Sequence, residues 1–303
     1  MIVHRSLDQL NIQKSVVTTG SFDGVHVGHR TIVNRLRTIA REIDGVSVLV
    51  TFYPHPRKIL YPKTLGKDLQ MINSQREKIY LLEKAGLDHL VIIPFSLEFS
   101  KTTSVDFVRK ILVGKLHASC VVVGFNHHFG FNREGDYEYL HELGKYYGFA
   151  VEEIPEQDIH NEFVSSTKIR KAIMEGNIQR ANAYLDHEYF ILAPVKRAED
   201  ITGTEGFYWY EVFPDEEEKQ IPPPGAYAGS LVEEDQRIKA LVLITEQYGR
   251  QRILIHTIDY DIANIPEVHL TFHKRIRLTQ MGQPDFNLAL LQQDVDDIKE
   301  LIY

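Results

Sequence analysis

The sequence predicts an α/β protein in which a doubly wound parallel sheet is followed by a smaller, antiparallel β domain. Up to about residue 186, apolar runs typical of strands alternate with segments of helical spacing. Beyond that point apolar and polar residues alternate over long runs, as they do in antiparallel strands. The 303 residues are also enough for two domains, since domains commonly have about 100–150 residues.

Each element of the predicted parallel sheet corresponds to a run of residues. Strands are predicted at 14–20, 46–52, 89–95, 118–124 and 149–154. Helices are predicted from Ile32 onward and at 76–86, 104–112 and 137–148. Because strands and helices alternate along the chain, each helix returns the chain to the same edge of the sheet, and the strands run parallel.

The second half of the chain has a different pattern. The charge run and the three prolines within 212–227 predict a loop. Strands are predicted at 237–247, 251–262 and 268–279, and a helix is predicted at 286–302. The domain boundary is therefore predicted after residue 186, which gives domains of 1–186 and 187–303.

Composition argues against several functional classes. The net charge of −8 disfavours a general nucleic-acid binder, which is normally basic. No stretch of about 18 apolar residues could span a membrane, and the first residues do not resemble a secretion signal. The one cysteine, Cys120, fits a reducing compartment. We expect a cytoplasmic protein with small-molecule partners, and the sequence does not indicate its oligomeric state.

The sequence GSFDGVHVGH at 20–29 predicts an anion-binding site. A strand that leads through a glycine-containing loop into a helix directs backbone N–H groups and the helix dipole at a phosphate. Gly28 permits close approach of the backbone, and His26 and His29 can each donate a ring N–H. The alternatives are a zinc site, for which no third ligand is evident nearby, and a purely structural turn.

This stretch resembles the signature of the prokaryotic bifunctional riboflavin kinase/FMN adenylyltransferase family, the FAD synthetases. Its H-x-G-H core is shared with the wider nucleotidylyltransferase superfamily. The resemblance continues through TFYPHP at 51–56, GFNHHFGFNREGD at 124–136 and VSSTKIRKAIMEGNIQRANAYL at 164–185. These motifs occur in the family's order and at similar spacing, so the resemblance covers residues 15–186.

The resemblance implies a Rossmann-like nucleotidylyltransferase domain that transfers AMP from ATP to FMN, forming FAD and pyrophosphate. The FMN phosphate attacks the α-phosphorus directly, and Mg²⁺ enters with ATP. His26 and His29 are expected to contact the ATP phosphates. Asp23 is expected to orient a histidine or to serve the metal, with capping of the turn as the alternative. The ATP-binding loop is expected to include Gly20, Phe22, Asp23 and Gly28.

The sequence SSTKIR predicts a second phosphate-binding segment. Ser165, Ser166 and Thr167 have the composition of a helix N-cap, and their hydroxyls and the helix N–H groups can bind phosphate. The resemblance implies that Arg170 is catalytic, because its guanidinium can bind two phosphate oxygens at once. The alternative is an ordinary capped helix with a surface arginine.

Two further motifs are expected to contact the flavin or the nucleotide. His55 lies in a proline-stiffened loop directly after a predicted strand, where open α/β sheets bind ligands. The resemblance places Asn126 close to the nucleotide and flavin, and Phe129 could stack on a flavin ring. A turn role for His55 and core packing for Phe129 are the alternatives.

The second domain resembles the riboflavin-kinase barrel but lacks its chemistry. The segment IPPPGAYAG at 221–229 and the later strands match that antiparallel barrel and its C-terminal helix. However, Trp209 occupies the position of a threonine that serves Mg²⁺ in the family, and an indole cannot ligate the ion. Leu254 occupies the position of the glutamate base, two residues before His256. We therefore expect that riboflavin kinase activity is lost.

The leading hypothesis is an FMN adenylyltransferase with a degenerate kinase domain, whose substrate is FMN and whose product is FAD. The second hypothesis is a nucleotidylyltransferase of the same superfamily that uses another phosphorylated acceptor. The third is a non-catalytic flavin- or nucleotide-binding paralogue. Loss of His26, His29 or Arg170 would have favoured the third, and all are present.

Overall fold

The computed structural model describes residues 1–8, 10–125, 127–155, 158–159, 162–202, 204–233, 236–247, 250–279 and 286–301. The chain forms two compact units. Unit 1 contains Met1–Leu69 and Lys78–Val164, and unit 2 contains Gln70–Glu77 and Ser165–Tyr303. The predicted domain boundary after residue 186 lies within unit 2, and it stays a prediction for the extent of each function.

Unit 1 is built on a six-stranded sheet in which every pairing is parallel. Its strands are β1 (Ile2–His4), β2 (Ser15–Thr19), β3 (Val46–Tyr53), β4 (His89–Pro94), β5 (Ala118–Gly124) and β6 (Ala150–Ile154). Their order across the sheet is β1-β4-β3-β2-β5-β6. A two-stranded antiparallel pair, β7 (Asp158–Ile159) and β8 (Glu162–Phe163), follows β6.

Helices cover both faces of this sheet. Along this part of the chain the helices are α1 (Val27–Glu42), α2 (Pro56–Leu60), α3 (Gln75–Lys84), α4 (Ser104–Phe107) and α5 (Tyr137–Tyr147), and α2 has no buried residue. Alternate strand residues enter separate apolar clusters: Val17 and Val121 lie in one, and Val16 and Val122 in the other. This period of two, with both sides buried, confirms the predicted doubly wound α/β sheet.

The chain changes direction across the sheet at β2. From β2 it proceeds through β3 to β4 on one side, and it then crosses to β5 and β6 on the other side. The carboxyl ends of β2 and β5 therefore flank a topological switch point, where open α/β sheets bind their ligands.

Unit 2 contains a closed six-stranded antiparallel barrel, as expected from the resemblance. Its strands are β9 (Tyr189–Arg197), β10 (Tyr210–Val212), β11 (Gly225–Glu233), β12 (Gln236–Gln247), β13 (Arg250–Thr257) and β14 (Glu267–Leu278). The order around the barrel is β10-β13-β12-β11-β14-β9. Unit 2 also contains helices α6 (Ser166–Met174), α7 (Ile178–Leu185) and α8 (Leu288–Glu300).

Two predicted elements in this half have wrong boundaries. The strand predicted at 251–262 ends at Thr257, where a turn begins: Thr257 Oγ1 donates to the Tyr260 carbonyl at 2.6 Å, and Asp259 has a φ of 57°. The loop predicted at 212–227 is shorter at both ends, because Val212 belongs to β10 and β11 already begins at Gly225. Helix α7 packs on β9 and β14, so residues before the predicted boundary belong to the barrel's unit.

The short segment Gln70–Glu77 is joined to unit 2 by a buried ion pair. Lys219 Nζ donates to Glu77 Oε2 at 2.7 Å, and both side chains are 1% exposed. The same ammonium donates to the carbonyls of Ile72 at 2.6 Å and Phe190 at 2.8 Å. Glu77 in turn accepts from the Leu192 amide at 3.0 Å. Because each charge is hydrogen-bonded, the pair is accommodated in the protein interior.

Candidate functional site

The loop between β2 and α1 has a constrained backbone. Phe22 and Val25 have positive φ angles of 48° and 41°, and Gly24 has a φ of 89°. Positive φ costs a non-glycine residue on the order of 1–3 kcal/mol, so surrounding contacts must enforce it. Phe22 and Val25 supply such contacts, because both are buried in the apolar cluster beneath α1. A Cβ at Gly20 would lie 3.1 Å from the Phe22 ring, which explains the glycine there.

The structure brings the two predicted histidines together at the start of α1. His26 occupies the N-cap position, and its ring centroid lies 3.7 Å from that of His29 in a stacked arrangement. His29 also stacks on Phe22, at 4.4 Å. Gly28 lies between the histidines in the first turn of the helix. Side chains and helix N–H groups therefore meet at the carboxyl end of β2, as predicted from the motif.

The electrostatic environment keeps His29 neutral. Burial, then the adjacent His26 and then the charge of Lys78, hold the pKa of His29 well below its usual range. Its Nδ1 atom is buried, and no residue within the described ranges forms a hydrogen bond with it. A buried polar atom of this kind is uncommon in a protein and needs an explanation such as an absent ligand.

Lys78 is a residue of this site that sequence reasoning missed. It lies in α3, is 3% exposed and donates from Nζ to the Ser21 carbonyl at 2.8 Å. The Thr51 hydroxyl donates to the same carbonyl at 3.3 Å. The available signal was a charge on the apolar face of the predicted helix, four residues before the fully buried Leu82.

The loop after β3 gives His55 a structural contact. The Tyr53–Pro54 bond is cis, and His55 then occupies the N-cap of α2. Its Nδ1 atom accepts a hydrogen bond from the Arg57 amide at 3.2 Å. This contact corresponds to the turn role stated as the alternative, and a contact of His55 with substrate stays a prediction.

The loop after β5 reaches the end of β2 through another histidine. His127 Nε2 lies 3.4 Å from Thr19 Oγ1, and burial, followed by the charges of His128 and Arg133, lowers its pKa to about 4. Phe129 is 8% exposed, belongs to the core cluster and stacks with His127 at 5.9 Å. It therefore has a packing role, and flavin stacking stays a prediction. Asn126 lies outside the described residues.

The serine-threonine segment forms a capped helix in unit 2. The Ser165 Oγ atom accepts from the Lys168 amide at 3.4 Å, and α6 begins at Ser166. Thr167 lies in the first turn and Arg170 one turn later. The apolar face is buried as predicted, at Ile169, Ala172 and Ile173. The structure thus confirms the predicted helix, and the binding of phosphate by its first turn and by Arg170 stays a prediction.

Comparison with known proteins identifies the family. Residues 8–168 match the family model described as FAD synthetase, a match that covers more than half of the chain. The chain belongs to the FAD synthetase family. This result confirms the resemblance carried by the histidine motif, and the matched region contains both stacked histidines as well as Lys78.

Individual relatives agree with the family assignment. A FAD synthetase of Listeria monocytogenes is 34% identical over 193 residues, which cover 64% of this chain and 76% of the relative. A bifunctional riboflavin kinase/FMN adenylyltransferase of Haemophilus influenzae is 32% identical over 196 residues, 65% of this chain and 63% of the relative. A protein of the same name from Buchnera aphidicola is 33% identical, and the chain spans 60% of its length.

A solved structure resembles the whole chain. The crystal structure described as a macrolide-efflux protein from Streptococcus pneumoniae has a TM-score of 0.86 and covers 99% of each chain, at 23% identity. At this identity the likeness shows the fold alone.

Among the helices that the structure describes, none has the length and apolar composition of a membrane-spanning segment.

In this FAD synthetase family member, the barrel face that packs with α8 is apolar at the positions expected to bear kinase chemistry. Trp209 is 3% exposed and packs against Phe207 at 6.0 Å and Phe286 at 5.7 Å. Leu254 is 1% exposed and belongs to the same apolar cluster. Apolar side chains thus occupy the positions at which the family resemblance calls for a metal-binding hydroxyl and a carboxylate base. In the described part of the chain, no group of three or more metal-binding side chains is found.

Proposed function

We propose that this protein is an FMN adenylyltransferase, which joins AMP from ATP to FMN and so forms FAD and pyrophosphate. The observation that carries the proposal is the stacked pair His26 and His29 at the start of α1. It lies at the switch point of a parallel sheet in a chain of the FAD synthetase family. These features together supply hydrogen-bond donors and a helix dipole directed at a phosphate.

The proposed reaction is a direct displacement at the α-phosphorus of ATP. An oxygen of the FMN phosphate forms the new P–O bond as the bond to pyrophosphate breaks, so negative charge accumulates on the α-phosphoryl oxygens. His29 remains neutral because its pKa is low, and it contributes a hydrogen bond rather than a transferred proton. Fixed donors aimed at developing charge account for much of the rate enhancement in such sites.

The SSTKIR segment at 165–170 is proposed to bind phosphate, as the family resemblance implies. Ser166 and Thr167 lie in the first turn of α6, where the N–H groups of a helix have no acceptor within the helix and can bind an anion. Arg170 would bind two oxygens of the departing pyrophosphate. For FMN we propose the loops after β3 and β5, because they flank the histidine loop at one sheet edge, with His55 and Asn126 as the contacts.

Magnesium would neutralise the triphosphate when it enters with ATP. Asp23 is the carboxylate nearest in sequence to both histidines, but its side chain is fully buried. We therefore assign it the orienting role and expect the phosphates and water to supply the ligands of the ion, a mode that Mg²⁺ commonly adopts. The residues of the loop fit this arrangement without a protein metal site.

We further propose that the barrel has lost riboflavin kinase activity. Trp209 and Leu254 occupy the expected positions of the Mg²⁺-serving threonine and the base, and both are buried in an apolar cluster. A leucine cannot accept the proton of the riboflavin hydroxyl. The protein would then depend on FMN supplied by another enzyme in the cytoplasm, where we propose that it acts.

One experiment tests both parts of the proposal. Pure protein is incubated with ATP, Mg²⁺ and either riboflavin or FMN, and the flavins are separated by chromatography. We expect FAD from FMN and no new flavin from riboflavin. Absence of FAD from FMN would refute the adenylyltransferase assignment, and FMN or FAD formed from riboflavin above a protein-free control would refute loss of the kinase. Release of pyrophosphate with a different phosphorylated acceptor would instead support the second hypothesis.

A further inference from the structure

A lysine is buried against the histidine loop without a role in the proposed chemistry. Lys78 is 3% exposed and donates to the Ser21 carbonyl at 2.8 Å. Burying an ammonium is costly unless its hydrogen bonds are made, so charged residues of this kind are rare in ordinary cores. The position of Lys78 therefore calls for a function in the loop that it contacts.

The carbonyl that Lys78 holds sets the conformation of the next residue. The Ser21 carbonyl belongs to the peptide plane that fixes φ of Phe22, and that φ is 48°. If the plane turned, Phe22 could relax to the negative φ that bulky residues prefer. Lys78 and the hydroxyl of Thr51, at 3.3 Å, together hold the carbonyl in place.

Phe22 links the position of the Ser21 carbonyl to His29, the proposed catalytic side chain on which its ring stacks. Its ring is 3% exposed and stacks on the His29 ring at a centroid distance of 4.4 Å and an interplanar angle of 23°. A change in φ of Phe22 would move the surface against which His29 packs. The charge of Lys78 also acts on His29, because it adds to the effects of burial and of His26 in lowering the pKa of that imidazole.

We propose that Lys78 is a positioning residue of the adenylyl-transfer site. It holds the Ser21 carbonyl, which fixes Phe22 and thereby orients the ring of His29 towards the phosphate. This role rests on the proposed function of the histidine loop, and it does not require that Lys78 touch a substrate. Displacement of a reacting or catalytic group by about 1 Å can lower the rate about 10²-fold.

Three variants separate this role from a general effect of charge. Lys78→Met removes both the hydrogen bond and the charge, whereas Lys78→Arg retains a cation and a donor. Lys84→Met is the matched control, because Lys84 lies on the same helix, is exposed and contacts the Tyr80 ring at 4.9 Å. We expect Lys78→Met to lower kcat about 10- to 100-fold with little change in KM for FMN. Lys78→Arg should regain most of kcat, and Lys84→Met should match the wild type.

A second measurement does not depend on activity. The ring current of Phe22 shifts the NMR resonances of the stacked His29 ring protons. The difference between the wild type and Phe22→Leu gives the size of this shift. We expect the shift to shrink in Lys78→Met, or in Lys78→Gln if the methionine variant does not fold, and to persist in Lys84→Met. Unchanged His29 resonances in the Lys78 variant would overturn the proposal. If the wild type forms no FAD, the proposed function is wrong. The NMR measurement would still show whether Lys78 positions the His29 ring.

Discussion

The two histidines at the start of α1 are stacked, and His29 has a lowered pKa. His26 and His29 are stacked at 3.7 Å, and burial followed by the neighbouring charges keeps the pKa of His29 well below its usual range. Two imidazolium rings at this distance would repel one another, so neutrality is a condition for the arrangement. The site therefore resembles a set of fixed donors more than an acid–base pair.

Replacement of His29 by alanine should remove one of these donors. We expect kcat to fall about 10²- to 10³-fold, the usual effect of losing one preorganised donor to a transition state. The measurement is the steady-state rate of FAD formation, and circular dichroism should show an unchanged fold. Full activity in His29→Ala would contradict the assigned role.

Acid should destabilise unit 1 through His127. Its pKa is about 4 in the folded protein and near 6.5 when unfolded, so the unfolded chain binds the proton first as the pH falls. Stability is fully present above pH 6.5 and is lost between that pH and about 4. We expect a loss on the order of 1–2 kcal/mol at pH 5 relative to pH 7.5, allowing for partial exposure of the ring.

Urea unfolding at the two pH values measures this effect. His127→Gln should remove that part of the pH dependence, since glutamine does not titrate in this range. His128→Gln applies the same substitution to the neighbouring ring and should keep most of the pH dependence, because burial is the largest cause of the low pKa of His127. An equal dependence in the wild type and in His127→Gln would show that other groups are responsible.

The sequence predicts elements well where burial gives a regular period. Strands β2 to β5 are mostly apolar and are predicted to within about two residues, because both faces of the sheet are covered there. The three-residue strands β1 and β10 are too short to show a period. Residues 108–113 continue α4 with π-helical hydrogen bonding, a change that a count of 3.6 residues per turn does not reveal.

The candidate site was predictable only where a motif marks it. The H-x-G-H sequence identified His26 and His29, and the serine cluster identified the cap at Ser165. Lys78 has no motif and lies far along the chain from the loop, so only the fold brings it to the Ser21 carbonyl. The sequence likewise does not predict the capping contact of His55, because that contact depends on the conformation of the turn after β3.

Helix α6 allows a test of the second phosphate segment. Arg170→Lys retains the charge but loses the planar pair of donors, so we expect kcat/KM for ATP to fall about tenfold or more. Lys171→Arg, at an exposed position of the same helix, should have little effect. Steady-state kinetics with varied ATP measures both. Equal values for Arg170→Lys and the wild type would favour the ordinary capped helix.

At the scale of the whole molecule, the units are not successive stretches of sequence. Unit 2 includes the early segment Gln70–Glu77 in addition to everything from Ser165 onward. The segment is secured by the Glu77–Lys219 pair and by a backbone pairing between Met71 and Lys219. Changes in sequence pattern do not reveal that Gln70–Glu77 belongs to unit 2, because the segment is short and its apolar spacing does not differ from that of the neighbouring residues.

Loss of Lys219 should therefore be costly to unit 2. Lys219→Met leaves the Glu77 carboxylate buried without its cation, and we expect the free energy of unfolding to fall by about 3–5 kcal/mol. The double variant with Glu77→Gln should recover part of the loss, because no charge then remains. Urea denaturation followed by tryptophan fluorescence is suitable, since Trp209 lies in the core of this unit. A stable single variant would contradict the structural importance of the pair.

The assignment of Gln70–Glu77 to unit 2 also limits which deletions the chain can tolerate during evolution. A version shortened to end at Val164 would keep Glu77 and Gln75 but remove Lys219 and Glu216, their partners. In the truncated protein, the segment Gln70–Glu77 would lack the barrel residues with which it pairs. The barrel could accordingly be retained whether or not it catalyses a reaction, since deleting its gene segment would leave Glu77 and Gln75 without these partners.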